Sequence, residues 1–241
     1  MIAGRAALIA ALLVASTAAH SQQSDASDVA APLRPAVMAY RQGNVIAAEQ
    51  ALRSLRSPSA DADAWLGTIL IERGATAEGL RLIQRAAEAG SSEGQHRLGL
   101  IYARGDAGQP RNDARAAELF AKAAEQRHRR AQTNLGLLYL KGQGVPQNGF
   151  DGMSWLRKAA ENGDVKAQVT LGRLDLSGYD TVGQDLGEAD RWITAAALQG
   201  DPEAKKLQEK VQALRASGGN DGSSYWRRLD EYGRKRLVTL L

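Results

Sequence analysis

The amino-acid sequence predicts an all-α chain, a solenoid of stacked helix pairs. Two recurrences and one absence carry that reading. A Leu-Gly pair returns four times inside helix-like stretches, at Leu66-Gly67, Leu98-Gly99, Leu135-Gly136 and Leu171-Gly172, with its glycines 32, 37 and 36 residues apart. An Ala-Ala pair closes the stretch after each, at Ala86-Ala87, Ala123-Ala124, Ala159-Ala160 and Ala196-Ala197, at intervals of 37, 36 and 37. Val and Ile are sparse and never alternate over a long run, so no strand pattern competes. A period of this length belongs to a helix-pair unit that buries its face only against its neighbours. Such a quasi-one-dimensional core tolerates the low aromatic content of the chain, which has only two Phe.

The ends read differently from the middle. Residues 1–21 have the pattern of a secretory signal peptide: Arg5, then an apolar run containing Leu8, Ile9, Leu12, Leu13 and Val14, then Ser16, Thr17, Ala18 and Ala19. That run is too short to cross a bilayer. Cleavage after Ala19 or after Ser21 satisfies the small-residue rule. With no Cys in the chain there is no lipid-anchor site, no disulfide and no thiolate metal site. A soluble periplasmic or secreted product is therefore expected. Residues 22–33, polar and small, read as a disordered mature N-terminus.

Residues 34–57 read as an opening helix pair that turns at Gly43 and caps the array. Four units then fill 61–214. Their inter-helix turns are short in the first, at Arg73-Gly74-Ala75-Thr76, and longer in the others, beginning at Gly105, Gly142 and Gly178. A glycine inside a helix costs about 1 kcal/mol of propensity. Its return at every Leu-Gly pair predicts a close backbone approach by the partner helix. Leu82, Leu119, Trp155 and Trp192 recur in the second helices and read as core knobs. Gly90, Gly163 and Gly200 end those helices, but the second unit has Arg127 there. A non-glycine residue in that left-handed conformation costs on the order of 1 kcal/mol. Arg127, Arg129 and Arg130, with His128 among them, form a basic patch, read either as a solvated loop or as a site for an acidic partner.

Beyond the repeats, 215–222 is a Gly- and Ser-rich linker. Residues 223–241 read as an amphipathic helix, with Trp226, Leu229, Gly233, Leu237 and Leu240 on one face and Arg227, Arg228, Arg234, Lys235 and Arg236 around it. It is expected to cap the array, dock a partner or touch an anionic membrane surface.

The segment running from Leu135-Gly136-Leu137-Leu138-Tyr139 through Gly142-Gln143-Gly144-Val145-Pro146, followed by Trp155-Leu156-Arg157-Lys158-Ala159-Ala160-Glu161-Asn162-Gly163, resembles a Sel-1-like repeat, a tetratricopeptide-like unit. The second unit resembles it through Leu98-Gly99-Leu100-Ile101-Tyr102 and Lys122-Ala123-Ala124-Glu125. The first and fourth depart at Leu70 and Asp175, where the pattern favours Tyr. The resemblance covers roughly residues 62–211. It implies an αα-superhelix that serves as an adaptor in protein complexes, many of them in bacterial envelopes.

No catalytic set is evident. His20 falls in the signal segment, and His96 and His128 stand apart in sequence without a third ligand at metal spacing, so neither a metal nor a cofactor is expected. There is no P-loop and no dinucleotide fingerprint. The charge balance, 31 Lys and Arg against 27 Asp and Glu, is mild and interleaved and does not by itself argue for nucleic acid, so no nucleic-acid partner is expected. By analogy with related helical repeats, the first helix of each pair should line a concave groove. The inward columns are then Ala64, His96, Thr133, Val169; Thr68, Leu100, Leu137, Arg173; and Ile71, Ala103, Leu140, Leu176. From these, His96, Leu100, Leu137, Leu140 and Arg173, with Arg130 at the edge, are the candidate partner-binding residues. The expected function is an exported, non-enzymatic adaptor that binds a protein or peptide. An immunity-type protein neutralising an antibacterial effector and a cell-wall or polysaccharide enzyme stay open as alternatives.

Overall fold

The computed structural model describes residues 29–178 and 184–217. The expected signal peptide, the basic helix at 223–241 and most of the tail and linker lie outside the described residues. Among the described residues there is no strand, and no helix is long and apolar enough to cross a membrane.

The chain forms two compact units, one ending at Asn162 and one starting at Gly163. In the first, a 3-10 turn at Ala31–Leu33 leads into α1 (Arg34–Arg41) and α2 (Val45–Arg53), then α3 (Ala60–Glu72), α4 (Thr76–Glu88), α5 (Ser92–Arg104), α6 (Asp113–Glu125), α7 (Arg129–Lys141) and α8 (Gly149–Glu161). Each odd helix packs on the even helix that follows it, and α4 and α6 also pack on the first helix of the next pair. In the second unit α9 (Val165–Ser177) packs on α10 (Leu186–Leu198), which packs on α11 (Pro202–Ala216).

The recurring glycines do what their spacing predicts. A Cβ on Gly67 would lie 2.5 Å from the Gly79 carbonyl oxygen and 2.7 Å from Ile83 Cγ1. The same contact recurs between Gly99 and Phe120, Gly136 and Leu156, and Gly172 and Ile193. These four large residues are at most 2 % exposed. Each contributes about 2 kcal/mol by its burial. The knob is therefore one residue later than the sequence reading placed it. Leu119 and Trp192 are buried too, but Leu82 and Trp155 are only half-buried, and the Lys158 ammonium sits 4.1 Å over the Trp155 ring. The cause is rotational: one helical step of 100° turns the side chain from the facing glycine toward the flank.

Within each unit, the Ala-Ala pairs make contacts to the helix that follows, as Ala123 and Ala124 do with Ala131 and Ala196 does with Ala204. A Cβ on Gly94 of α5 would fall 2.8 Å from Ala86 Cβ, and Ala131 and Ala204 hold the equivalent place fully buried. Side chains at the helix starts satisfy the orphan amides. Ser59, Ser91, His128, Asp164 and Asp201 accept the amide three residues on at the first helices, and Asn112, Asn148 and Asp185 do so at the second.

At the N-terminus the expected disordered stretch reaches too far. Leu33 is 2 % exposed and shares a core with Ala36, Val37, Ala48, Leu52, Trp65 and Ile69, with Val29 packed against it. Apolar side chains at 29 and 33 offset the cost of ordering the turn. At the other end, α11 runs on to Ala216, into the residues read as linker.

Gly67→Ala should lower stability by about 2 kcal/mol, since the added methyl meets backbone and α3 and α4 must move apart. Gly149→Ala, where a Cβ meets nothing within 4 Å, should raise it by ~0.5 kcal/mol. Urea unfolding followed by circular dichroism checks both.

Candidate functional site

The most elaborate polar site lies in the first unit, where α5 meets the start of α7. Here repeat geometry brings together residues more than thirty positions apart. The His96 and His128 rings stack with centroids 4.5 Å apart and planes at 28°, and Phe120 lies 5.9 Å from His96. Glu93, one turn before His96 on α5, joins them. One ligand-capable atom from each of Glu93, His96 and His128 lies within 4.8 Å of the others. This corrects the expectation that the two histidines stand apart without a third ligand. Neighbouring repeats juxtapose residues about one period apart, so a search for metal spacing within one helix overlooks them. The available signal was the offset itself: Glu93 and His128 are separated by 35 residues, close to the repeat length.

His128 has two jobs. Its Nδ1 accepts the Ala131 N–H at 3.2 Å and caps α7, which places the ring proton on Nε2, where it is donated to Glu93 Oε2 at 3.1 Å. It stands where the other pairs have Ser91, Asp164 and Asp201. Burial of Glu93 acts to raise its pKa, but the adjacent Arg97 guanidinium and the His128 hydrogen bond prevail and hold the carboxyl far below the usual range. Arg97 in turn stacks 3.8 Å over Trp65 and donates to Thr68 at 2.6 Å. Burial, aided by His128, pushes the His96 pKa well down, so its ring is neutral at neutral pH. Asn134 donates to His96 Nε2 at 3.3 Å, while His96 Nδ1 is buried without a hydrogen-bond partner.

A cleft of about 170 Å³ opens over this group, walled by Arg41, Asp61, Trp65, Glu93 and residues 126–130. The basic patch of Arg127, Arg129 and Arg130 borders it. Arg127 has φ of +65°, the conformation of Gly90, Gly163 and Gly200, so the junction keeps its shape and carries the strain.

The remaining candidates separate by depth. His96 and Leu140 are buried at 6 % and 8 % exposure, and the whole column of Ala64, His96, Thr133 and Val169 is buried. These residues are interior packing, not handles on an open groove: Phe120 and His128 lie against His96, and Leu140 packs at Gly152 of α8. Leu100 and Leu137, with Thr68, stay half-open. Thr68, Ile71, Leu100 and Ala107 help line a second cleft, rimmed by Glu72, Arg97, Arg104 and Asp106. In the second unit Arg173 is exposed and pairs with Glu203 at 3.1 Å.

Helix pairs joined through glycine and alanine contacts, with accessible clefts on the first helices, define a helical-repeat protein. Residues 61–91, 92–128, 129–164 and 165–201 each match the Sel1 repeat, and the chain belongs to that family. Among solved structures it is similar to a Sel1 repeat protein from Oxalobacter formigenes, with a TM-score of 0.63, 26% identity and 76% of each chain covered. It is also similar to c5321, a protective antigen of uropathogenic Escherichia coli strains displaying an SLR fold, with a TM-score of 0.62, 28% identity, and coverage of 73% of this chain and 38% of that one. Curated relatives include the chitin synthase regulator SKT5 of Malassezia restricta, 34% identical over 51% of this chain, and chitin synthase regulatory factor 3 of Schizosaccharomyces pombe, 36% identical over 55%. A third is the ERAD-associated E3 ubiquitin-protein ligase component HRD3B of Arabidopsis thaliana, 34% identical over 44%. The matched regions make up only 9%, 14% and 17% of those proteins.

Arg127→Gly should raise stability by about 1 kcal/mol, read as a shift in the urea midpoint. His128→Ala should be less stable than His128→Ser by about 1 kcal/mol, because serine keeps the cap that alanine loses.

Proposed function

We propose that the protein is an exported, non-enzymatic adaptor of the bacterial envelope that binds a segment of a partner protein along its first helices. The observation that carries this reading is the half-open column of Thr68, Leu100 and Leu137. Beside its first two members lies a cleft with Ile71 and Ile83 among its lining and charges of both signs at its rim. An apolar floor with a mixed polar rim suits a peptide, which buries side chains on the floor and pairs its backbone and charges at the edge. The curated relatives bear the names of regulators and of a complex component, not of catalytic subunits, which supports an interaction role. Export rests on the signal-peptide pattern of residues 1–21. The basic patch at Arg127, Arg129 and Arg130 favours an acidic stretch in the partner.

The test is in-cell photo-crosslinking from Leu100 and Leu137, with fractionation of the cells. A single dominant protein adduct in the periplasmic fraction is the expected result. No adduct from either position, with the protein folded, would overturn the binding surface, and recovery in the cytoplasm alone would overturn export.

A further inference from the structure

We propose that Glu93, His96 and His128 form a binding site for a divalent transition-metal ion of the zinc type, which clasps α5 to the start of α7. The set is two imidazoles and one carboxylate, the mixture of nitrogen and oxygen donors that zinc accepts, with a coordination position left for water. It does not depend on the adaptor reading.

Two independent observations point to a ligand. Three donor atoms, two from α5 and one from the N-cap of α7, converge within 4.8 Å. Of these three residues, His96 has a buried Nδ1 with no hydrogen-bond partner, on a side chain whose residue is only 6 % exposed. A buried nitrogen without a partner is costly unless something occupies it. Burial also keeps this ring neutral, the form that ligates. Asn134, at 3.3 Å from Nε2, then acts as the outer partner that orients the ring: turning its amide offers an oxygen to an Nε2–H.

The groups that oppose a cation can yield. Bonds of about 2.0–2.1 Å to zinc bring ligand atoms closer together than 4.8 Å, so the stacked rings must tilt by an amount on the order of 1 Å. Arg97 pairs with Glu93, yet its stacking on Trp65 and its hydrogen bond to Thr68 seat it independently. It can release the carboxylate without leaving its place. Asp61 lines the same cleft and supplies further negative charge. His128 gives up its cap: ligation through Nε2 moves the proton to Nδ1, and the Ala131 amide loses its acceptor. Metal binding and the start of α7 are therefore coupled.

The test uses the full chain without an affinity tag, stripped with a chelator and titrated with zinc by calorimetry and by thermal melting. Wild type is expected to take up one equivalent and to gain roughly 5 °C in Tm at saturating zinc. His128→Ser retains a capping oxygen, as Ser91 does, so it should fold, but its zinc affinity should fall by about 100-fold. Glu93→Gln should weaken binding in the same direction, and His20→Ala should leave it unchanged. Cobalt substituted at the site should give a visible absorption band in wild type that His128→Ser lacks. Equal zinc uptake by wild type and His128→Ser, or no melting shift in wild type at millimolar zinc, overturns the proposal.

Discussion

The distance between paired helices is the constraint on which the rest of the structure depends. At Gly67 and Gly79 the backbones of α3 and α4 come so close that neither position has room for a methyl group. That approach leaves a socket of fixed size, filled in each repeat by one large side chain, Ile83, Phe120, Leu156 or Ile193. With one filled socket per pair, few aromatics are needed, and the small faces left over can be alanine. Those alanines then let the next pair approach just as closely. Glycine in a helix is costly locally, and the packing it permits more than offsets that cost.

This dense apolar spacing also decides where polar groups can go. Buried polar side chains collect at the ends of the helices, where orphan amides and carbonyls need partners. Gln126 donates to both Gln95 and the Gly90 carbonyl, and Gln132 bridges from Ala124 to Asn162. The cluster around Glu93, His96 and His128 is a variation on this end-of-helix pattern. Where other repeats use a serine or an aspartate, one repeat has an imidazole, and the local chemistry changes while the backbone path does not. Arg127, held in a glycine's conformation, shows the same conservation of path.

Much of the fold was legible from the chain because the repeat writes the same contact four times. Helix pairs, turns and the role of the Leu-Gly glycines all follow from letters that recur. The choice of Leu82 and Trp155 over Ile83 and Leu156 as knobs failed because two adjacent large residues look alike in sequence. Only the helix phase separates the one aimed at the glycine from the one beside it. The site was much less legible. Burial of His96 by Phe120 and His128, and of Leu140 at Gly152 of α8, depends on other helices, which no single helix pattern reveals. The meeting of His96 with His128 is a property of the repeat lattice, visible only when residues about one period apart are read as neighbours.

The unequal turns carry a consequence of their own. In the second and third repeats the longer loop folds back on its helix, with Asn112 and Asn148 donating to the Tyr102 and Tyr139 carbonyls. At Gly144 the third repeat's loop presses on the Asp113 backbone of the preceding repeat. The first repeat turns at once, through Arg73, Gly74 and Ala75, and has no such flap. Ile71 and Ile83 accordingly border an open cleft beside Asp106 and Ala107. Loop length thus acts as an aperture setting. Insertions at this one turn would narrow or widen the opening while the glycine sockets below stay untouched, so recognition can diverge without any renegotiation of stability.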